Sequence, residues 1–531
     1  MRKLFLILLL SYLSASLSAQ LSGTGTWTDP YSGTFQNDLQ WNFANFPGGK
    51  IYIGGDITID DELLTIEAGI SVIFITEGAD LIVNGTGRIN ASGTLNYQII
   101  FTADDDNDSN YGESGERWGH IVFNNPSSTN QSKFEYCIIE YGDVGSGSNT
   151  TSYGGAIYSN TYSNFVLNNC TLRNNRASHG GAILLYTGAS PSISNCLITE
   201  NIATTTGGAI YSQAQSGLNL INCVISFNTA VASSGGGIFI DGSDNSRFIN
   251  CNIVNNNSAS GGRNIHFYAV SSSTVKPMFI NSIAWGSDNS IEYSGFSIRT
   301  ETDFVNCAIQ DIATPASYFT DCIDLNSSNS ATDGPNFNAT DGSDWSIKFI
   351  SPCRDTGTDS YSGVTIPTTD FEGNPRIQTT DIGAYECQYS SWTGATSTSW
   401  TTASNWEADI DPSTGTGDVV IPSGLSTYPV SASNPDFTIG SDNVMILEPG
   451  TRATLNNFTN NGSLTMQANA SGLSSLIMAS YSKGGTATEN IQLYLTGGYI
   501  GDPEYNEGRW HYIATPVSNF SKNIFTANTN D

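Results

Sequence analysis

The sequence predicts an all-β solenoid, a chain wound into stacked coils of parallel strands, followed by a smaller β-rich domain. Two observations predict it. A Gly-Gly-Ala-Ile motif and an Asn-Cys pair alternate along the middle of the chain, and each returns every 26 to 28 residues. The apolar runs between them are too short for a helix and are broken by Asn, Gly, Ser and Thr. A fixed period of this length indicates stacked structural units.

Each repeated residue type has an expected place in a coil. The glycine pairs suit a corner, because glycine adopts positive φ and permits close backbone approach. The cysteines should stack about 4.8 Å apart in one interior column. The asparagines before them should form an amide ladder at a bend, and the asparagines five residues later another column. These positions are residues 154–158, 180–184, 207–211 and 235–239, then Asn169-Cys170, Asn195-Cys196, Asn222-Cys223 and Asn250-Cys251, then Asn175, Asn201, Asn228 and Asn256.

The repeats, which cover residues 136–310, resemble those of polymorphic outer-membrane proteins. In both, the glycine motif is followed at a distance by Asn-x-Ala, here Asn175-Arg176-Ala177 and Asn201-Ile202-Ala203. More broadly, the chain resembles right-handed parallel β-helix proteins of the pectin-lyase-like type. The resemblance implies a right-handed parallel β-helix solenoid over residues 20–388, on a secreted or cell-surface protein associated with the outer membrane.

Residues 1–19 have the composition of a secretory signal peptide. Arg2 and Lys3 supply the positive start, residues 4–10 the apolar segment, and Ala19 a small residue before cleavage. The apolar run is too short to cross a bilayer, and no later run is long enough. We therefore expect an extracellular or surface-held protein with no transmembrane span.

Opening coils are expected over residues 20–135, directly beneath the repeats. An acidic loop interrupts them, in which Asp104, Asp106 and Asp108 alternate like the start of a calcium loop. An EF-hand is excluded, because its glycine is missing and Gly115 stands where its final glutamate would be. The loop is either another kind of calcium clamp or a solvated acidic insertion, and the protein requires no other cofactor.

Residues 348–388 contain three short motifs, Ser351-Pro352-Cys353, Asp370-Phe371-Glu372-Gly373 and Asp381-Ile382-Gly383. They resemble the closing segment of bacterial surface β-helices of the choice-of-anchor type. The segment is expected to cover the edge of the last coil, which would otherwise pair with another chain. Turn and cap roles are expected for Asp355, Asp370 and Asp381.

A second β-rich domain is expected over residues 391–531, opened by Trp392, Trp400 and Trp406. It resembles a β module of large secreted proteins from gliding-type bacteria. Residues 508–513 resemble a segment found upstream of their sorting domains, which implies type IX secretion. No sorting domain is visible before Asp531, so we expect this domain to be truncated.

The chain is strongly acidic, with 19 Lys and Arg against 49 Asp and Glu and a formal net charge of −30. This balance excludes a general attraction to nucleic acid or to anionic membranes. Solubility outside the cell explains the charge, and binding of a divalent cation is the alternative.

Nine cysteines in an exported protein ordinarily indicate disulfides. Most of them share one stacked position, however, where parallel side chains point the same way and cannot bond well. We expect buried thiols there. The disulfide candidate is Cys353 with Cys387, or with Cys322. No Cys-x-x-Cys pair or histidine cluster is present, which argues against a zinc site.

Strand alternation gives the candidate ligand-binding residues. If the isoleucine of each glycine motif points inward, the next residue points outward. A row of exposed aromatic rings could bind sugars or a partner protein. The alternative is that loops cover this column or that it is itself the core face. The candidates are Tyr158, Tyr211 and Phe239, with Leu184 between them and His266 continuing the column.

The expected function is a non-catalytic adhesin or stalk that binds a glycan or another cell-surface partner. The alternative is a polysaccharide lyase or glycoside hydrolase acting on an acidic polysaccharide. A hydrolase needs two carboxylates facing one sugar bond. The motifs of polygalacturonases and the arginine motifs of pectate lyases are absent, and His179 is a lone histidine. No catalytic residue is therefore assigned.

Overall fold

The protein is described from a computed structural model. The structure describes residues 21–491, apart from 114, 125–130, 146–151, 161–164, 214–215, 243–245, 270–276, 287, 296–302, 311, 313–318, 326–333, 350, 362, 408–417, 431–434, 442 and 470–471. The expected signal peptide, residues 1–19, lies outside the described residues, as do residues 492–531 of the second domain. The chain divides after Cys387 into two compact units.

The first unit is a parallel β-helix, in which the strands of each coil pair with those of its neighbours in three sheets. Sheet 1 follows the Asn-Cys pairs and contains Tyr31–Thr34, Lys50–Asp60, Ser71–Phe74, Ile99–Ala103, Cys137–Glu140, Thr171–Arg173, Leu197–Thr199, Val224–Ser226, Asn252–Val254, Ile283–Trp285, Ala308–Gln310 and Ile323–Leu325. Sheet 2 follows the glycine pairs, shares Lys50–Asp60, and adds Leu81–Asn84, Ile121–Asn124, Ile157–Asn160, Ile183–Leu185, Ile210–Gln213, Ile238–Asp241, Ile265–Ala269 and Ile291–Gly295.

Sheet 3 completes each coil, and a short fourth sheet lies between sheets 1 and 2 in the repeat region. Sheet 3 contains Leu39–Trp41, Leu63–Glu67, Arg88–Ser92, Ser132–Glu135, Phe165–Asn168, Ser192–Ser194, Asn219–Ile221, Arg247–Ile249, Met278–Ile280, Asp303–Val305 and Phe319–Thr320. The fourth sheet contains Arg176–His179, Ile202–Thr206, Thr229–Ala230 and Asn257–Ser258.

The residues that point inward form one continuous hydrophobic core from Phe35 to Ile309. In sheet 3, the rings of Phe248, Phe279 and Phe304 stack with centroids 4.2 and 4.6 Å apart. No coil buries its apolar side alone, so the fold depends on stacking between neighbouring coils. In sheet 2 the same interior position is taken by Ile157, Ile183, Ile210, Ile238 and Ile265.

The predicted interior column of cysteines is confirmed, and it is longer than expected. The backbone N–H of Cys170 lies 3.4 Å from Sγ of Cys196. Burial raises the pKa of the Cys196 and Cys251 thiols, so they stay protonated and act as small apolar groups. The full column is Cys137, Cys170, Cys196, Cys223, Cys251, Ser282, Cys307 and Cys322.

The amide ladder is formed by the asparagines that follow the cysteines, not by those that precede them. Nδ2 of Asn175, Asn201 and Asn228 donates to Oδ1 of the next asparagine in the column, at 2.9 Å in each case. The preceding asparagines do make the predicted bend, since φ lies between +50° and +54° at Asn169, Asn195, Asn222 and Asn250. Amide bonding among these bend asparagines was the wrong expectation.

Asn222 and Asn250, two of the bend asparagines, bind the closing segment, and so does Asn281 at the equivalent position of the next coil. Nδ2 of Asn222 donates to the carbonyl of Thr369 at 2.8 Å, and Nδ2 of Asn281 to that of Thr358 at 2.9 Å. Ile366 packs on the outward face of sheet 3 in a cluster with Ile249, Ile280 and Val305. These contacts place the segment along the side of the solenoid, and its expected role at the edge of the last coil stays a prediction.

The second unit is β-rich, and all but one pair of its strands are parallel within the described residues. Trp392, Trp400 and Trp406 are buried together in its core. One sheet contains Tyr389–Ser391, Asp418–Ile421, Val444–Leu447, Ser463–Met466 and Thr488–Ile491, and a second contains Phe437–Ile439, Arg452–Asn460 and Ser475–Lys483. The antiparallel pair is Ala468–Asn469 with Gly472–Leu473, and a 3-10 helix spans Ala403–Asn405.

The amide ladder predicts a stability effect. Replacing Asn228 with Ala removes the acceptor of both the backbone N–H and Nδ2 of Asn201. We expect the free energy of unfolding to fall by about 1–3 kcal/mol, because buried donors are left unpaired. Chemical denaturation measures it. The control is Asn96→Ala, an exposed turn residue, for which a change within about 0.5 kcal/mol is expected; equal losses in both variants would contradict the role of the ladder.

Candidate functional site

The predicted outward column of sheet 2 is present, with the register that the repeats indicated. Tyr158 pairs with Leu184, Leu184 with Tyr211, and Tyr211 with Phe239. The column extends further at both ends, from Ile82 and Val122 at one end to His266 and Glu292 at the other. It forms a hydrophobic cluster of its own, separate from the interior core.

Of the two alternatives for this column, the structure supports the covered one and not the exposed one. The exposed fractions are 6% for Tyr158, 9% for Tyr211, 8% for Phe239 and 4% for His266. The rings cover one another along the column: Tyr211 and Phe239 have centroids 5.3 Å apart, and Phe239 and His266 4.9 Å apart. The column is therefore a second, outer core.

Further aromatic residues, which the sequence analysis missed, cover the column. Tyr153 packs edge-on against the ring of Tyr158, and His179 lies 5.4 Å from Tyr211. The hydroxyl of Tyr211 donates to Oδ2 of Asp241 at 2.8 Å. Burial, and then the charge of Asp241, raise the pKa of Tyr211 well above its ordinary value. Tyr153 and His179 directly precede glycine pairs, but Thr206 and Ser234 take this position in the next two coils, so the repeat gave no signal for this role.

The rings that do reach solvent lie in the opening coils. Phe43 is 42% exposed and Tyr97 67% exposed, and Leu95 beside Tyr97 is 74% exposed. Both aromatic side chains border Gly69, where an added Cβ would lie 3.5 Å from the Phe43 ring and 3.6 Å from Cβ of Tyr97. We call Phe43, Leu95 and Tyr97 the exposed apolar patch.

The acidic loop brings its three predicted carboxylates together and adds a fourth. Ligand oxygens of Asp104, Asp106, Asp108 and Glu116 all lie within 4.8 Å of one another. Asp104 and Glu116 are buried, whereas Asp106 and Asp108 are exposed. Sequence reasoning missed Glu116, because loop closure and not local spacing brings it to the cluster.

Backbone donors hold the two buried carboxylates of this loop. Asp104 accepts the N–H of Asn107 at 2.6 Å and that of Ser109 at 3.1 Å. Glu116 accepts the N–H of Glu113 at 2.9 Å. A carboxylate has about four lone-pair sites, so each can still bind a cation. Four hard oxygen ligands in one place suit calcium.

The carboxylates of the closing segment have structural roles. Asp370 accepts the N–H groups of Glu372 and Asn374, and Asp381 those of Asp355 and Cys387. Burial raises the pKa of Asp381 to about 8. Held in this way, these groups maintain turns, as the sequence analysis expected.

The expected disulfide between Cys353 and Cys387 is not formed, and all nine cysteines, each of them a described residue, are thiols. Burial raises the pKa of the Cys353 thiol to about 12, so it holds little of the thiolate through which disulfides form. The carbonyl of Cys353 accepts the N–H of Ile382 at 2.9 Å, while the N–H of Cys387 donates to Asp381 at 2.6 Å. Both cysteines are thus fastened to the same turn. The other candidate, Cys322, ends the interior column.

Comparison with known proteins gives one sequence match and a weak structural one. The Chlamydia polymorphic membrane protein repeat matches residues 195–213, which begin at Asn195 and reach the third strand of one coil. No curated protein sequence matches the chain. Two solved structures, of the PL6 family alginate lyase AlyGC and of a variant of it, have TM-scores of 0.18 and identities of 11% and 10%. Each comparison covers 85% of this chain and 80% of that one. In the part of the chain that the structure describes, no helix is long and apolar enough to cross a membrane.

The burial of the outward column predicts that it contributes to stability. Tyr211→Ala should lower the free energy of unfolding by about 3 kcal/mol, because a packed ring is removed. The control is the exposed Tyr97→Ala, for which the change should stay within about 0.5 kcal/mol. Urea denaturation distinguishes the two, and a neutral Tyr211→Ala would show that the ring is not packed as described.

Proposed function

We propose that this protein is a surface-displayed β-helix rod that binds a glycan or another surface partner and does not cleave it. The match to the polymorphic membrane protein repeat supports a surface or outer-membrane-related location. The eleven strands of sheet 3, at about 4.8 Å per coil, give a stack about 50 Å long. Such a stack suits the presentation of a binding site at a distance from its base.

The roles of the repeated residues carry this proposal. In the matched coil, Cys196 fills the interior column and Asn201 the amide ladder. Gly207 adopts a φ of +67°, and Gly208 lies so close to the next coil that a Cβ would meet the carbonyl of Gly236 at 2.0 Å. Each of these positions serves packing or backbone geometry. The repeat therefore supplies a scaffold, and none of these recurring residues is a carboxylate or a base.

The exposed apolar patch is the proposed contact surface. Solvent-exposed aromatic rings stack on sugar rings, and Phe43 and Tyr97 are available for this. Neither side chain belongs to the hydrophobic core, so their substitution should leave the core intact. Ligand binding is assigned to this patch and not to the outward column, because the side chains of that column are buried. The column residues first considered for it are Tyr158, Tyr211, Phe239 and His266.

Binding is tested on an array of neutral and acidic polysaccharides and on cell surfaces. The wild-type chain should bind at least one of them. The double variant Phe43→Ala with Tyr97→Ala should bind about fivefold more weakly or worse for each ring lost, which is about 1 kcal/mol per stack. The control is Ile477→Ala, an exposed apolar residue of the second unit. Undiminished binding by the double variant would remove the patch from the proposal.

The absence of cleavage is tested separately. Incubation with pectin, alginate or chondroitin, with and without calcium, should release neither reducing ends nor unsaturated products. Turnover that one carboxylate substitution in the coils abolishes would replace this proposal with the polysaccharide lyase or hydrolase.

We further propose that the acidic loop binds calcium through Asp104, Asp106, Asp108 and Glu116. The chemistry of the donors supports it, since all four are carboxylates and two of them are buried. Bound calcium would neutralise charge and fasten the loop that follows the strand Ile99–Ala103. Leu95 and Tyr97 lie just before that strand, so this part of the exposed apolar patch belongs to the same coil as the loop.

Calcium binding predicts a rise in melting temperature. Millimolar calcium should raise it by several degrees, because a ligand of the folded state stabilises that state by mass action. Glu116→Gln and Asp108→Asn should reduce the rise, whereas Asp105→Asn, an exposed neighbour outside the cluster, should preserve it. An unchanged melting curve and a flat calorimetric titration would make the loop a solvated insertion.

A further inference from the structure

The outward column of sheet 2 changes character at its far end. Phe239 pairs with His266, and His266 pairs with Glu292. Ser294 lies two residues after Glu292 on the strand Ile291–Gly295, so both side chains are on the same face. The coil register therefore brings a hydroxyl, an imidazole and a carboxylate together where the earlier coils carry aromatic and aliphatic side chains.

The order of these groups is that of a nucleophilic triad. Nε2 of His266 lies 2.7 Å from Oγ of Ser294. Nδ1 of the same ring lies 3.4 Å from Oε2 of Glu292. This distance suits an ion pair, although the two atoms are not aligned for a hydrogen bond. Such contacts are often loose without a substrate. An imidazole held between a serine and a carboxylate can take the proton of the serine.

The surroundings of His266 suit a base. The ring of Phe239 stacks on the imidazole with centroids 4.9 Å apart and an interplanar angle of 8°. Burial lowers the pKa of His266 and outweighs the opposite effect of Glu292, so the ring is neutral near pH 7. Ser294 is half-buried and the Glu292 side chain is 41% exposed, so the cluster reaches solvent.

A glycine and the strand register complete the arrangement. The carboxylate of Glu292 lies against Gly261, where an added Cβ would meet Oε2 at 1.9 Å. Among the described strands, Ile291–Gly295 pairs with Ile265–Ala269 alone.

We propose that Ser294, His266 and Glu292 form an acyl-transfer site that hydrolyses carboxylic esters with a small acyl group. The acyl group must be small, because Ser294 is half-buried and the bulky Tyr268 is its register partner on the neighbouring strand. This activity goes beyond the proposed binding function, and it breaks ester bonds and not glycosidic bonds.

The reaction has two steps. Oγ of Ser294 attacks the ester carbonyl carbon, and its proton passes to Nε2 of His266. The tetrahedral intermediate expels the alcohol, which takes that proton and leaves the acyl group on Ser294. Water then attacks the acyl-enzyme and gives a proton to His266, and collapse releases the acid and restores the serine. Glu292 is a positioning residue, which keeps the proton of the imidazole on Nδ1.

Hydrolysis of 4-nitrophenyl acetate by the full chain tests the proposal. Wild type should release nitrophenolate, and Ser294→Ala and His266→Ala should each lower kcat/KM about 100-fold or more. Glu292→Gln, and Gly261→Ala, whose Cβ displaces the carboxylate, should lower kcat about tenfold with KM unchanged. The matched control is Ser178→Ala. Oγ of Ser178 lies 3.1 Å from Nδ1 of His179, and no carboxylate contacts that histidine among the described residues, so the rate should not change.

A fluorophosphonate probe gives a second measurement that does not depend on turnover. Mass spectrometry should find the adduct on the peptide that contains Ser294, and His266→Ala should abolish it. Circular dichroism melts establish that each variant is folded. Folded wild type that shows neither hydrolysis nor the adduct overturns the proposal, and so does hydrolysis that persists in Ser294→Ala.

Discussion

In-register stacking of parallel coils is the constraint on which the rest of this structure depends. Each backbone strand pairs residue for residue with the equivalent strand of the next coil. Any residue type that recurs with the period is therefore placed on top of its own copy. Stacking then favours side chains that pack well against an identical side chain in the next coil. These are a thiol, an aliphatic side chain, a ring, or an amide that donates a hydrogen bond on one side and accepts one on the other. Charged residues fail this test, which explains why the repeats carry so few.

The same constraint decides what the sequence could predict. The Asn-Cys and Gly-Gly-Ala-Ile positions gave the strands, the interior cysteine column and the outward column correctly, because register follows from period alone. Whether the outward column is exposed or covered could not be decided from the sequence, because it depends on what lies over the rings. Tyr153 and His179 belong to the neighbouring segments and close over Tyr158 and Tyr211. Strand alternation predicts which way a side chain points, but it does not predict whether other residues cover that side chain.

Contacts between distant segments were the other limit. The closing segment lies along the bend asparagines, and Nδ2 of Asn222 reaches a residue 147 positions away. No local pattern encodes that pairing. Likewise, Glu116 joins the acidic loop only through the fold of the loop, and Cys387 is bonded to Asp381 through its backbone N–H. In each case the residue types suggested a chemistry, while the partners were set by tertiary structure.

A solenoid with this regularity places any local chemistry where its periodicity breaks. Along the sheet 2 column, Tyr158, Leu184 and Tyr211 serve packing because each has an apolar or aromatic neighbour in the coil before it and in the coil after it. At His266 the next position is Glu292, so a ring that continues the stack on one side meets a carboxylate on the other. The acidic loop is a second break, inserted after a strand of the opening coils. The uniform coils hold such sites rigidly, because their own residues are fully committed to stacking.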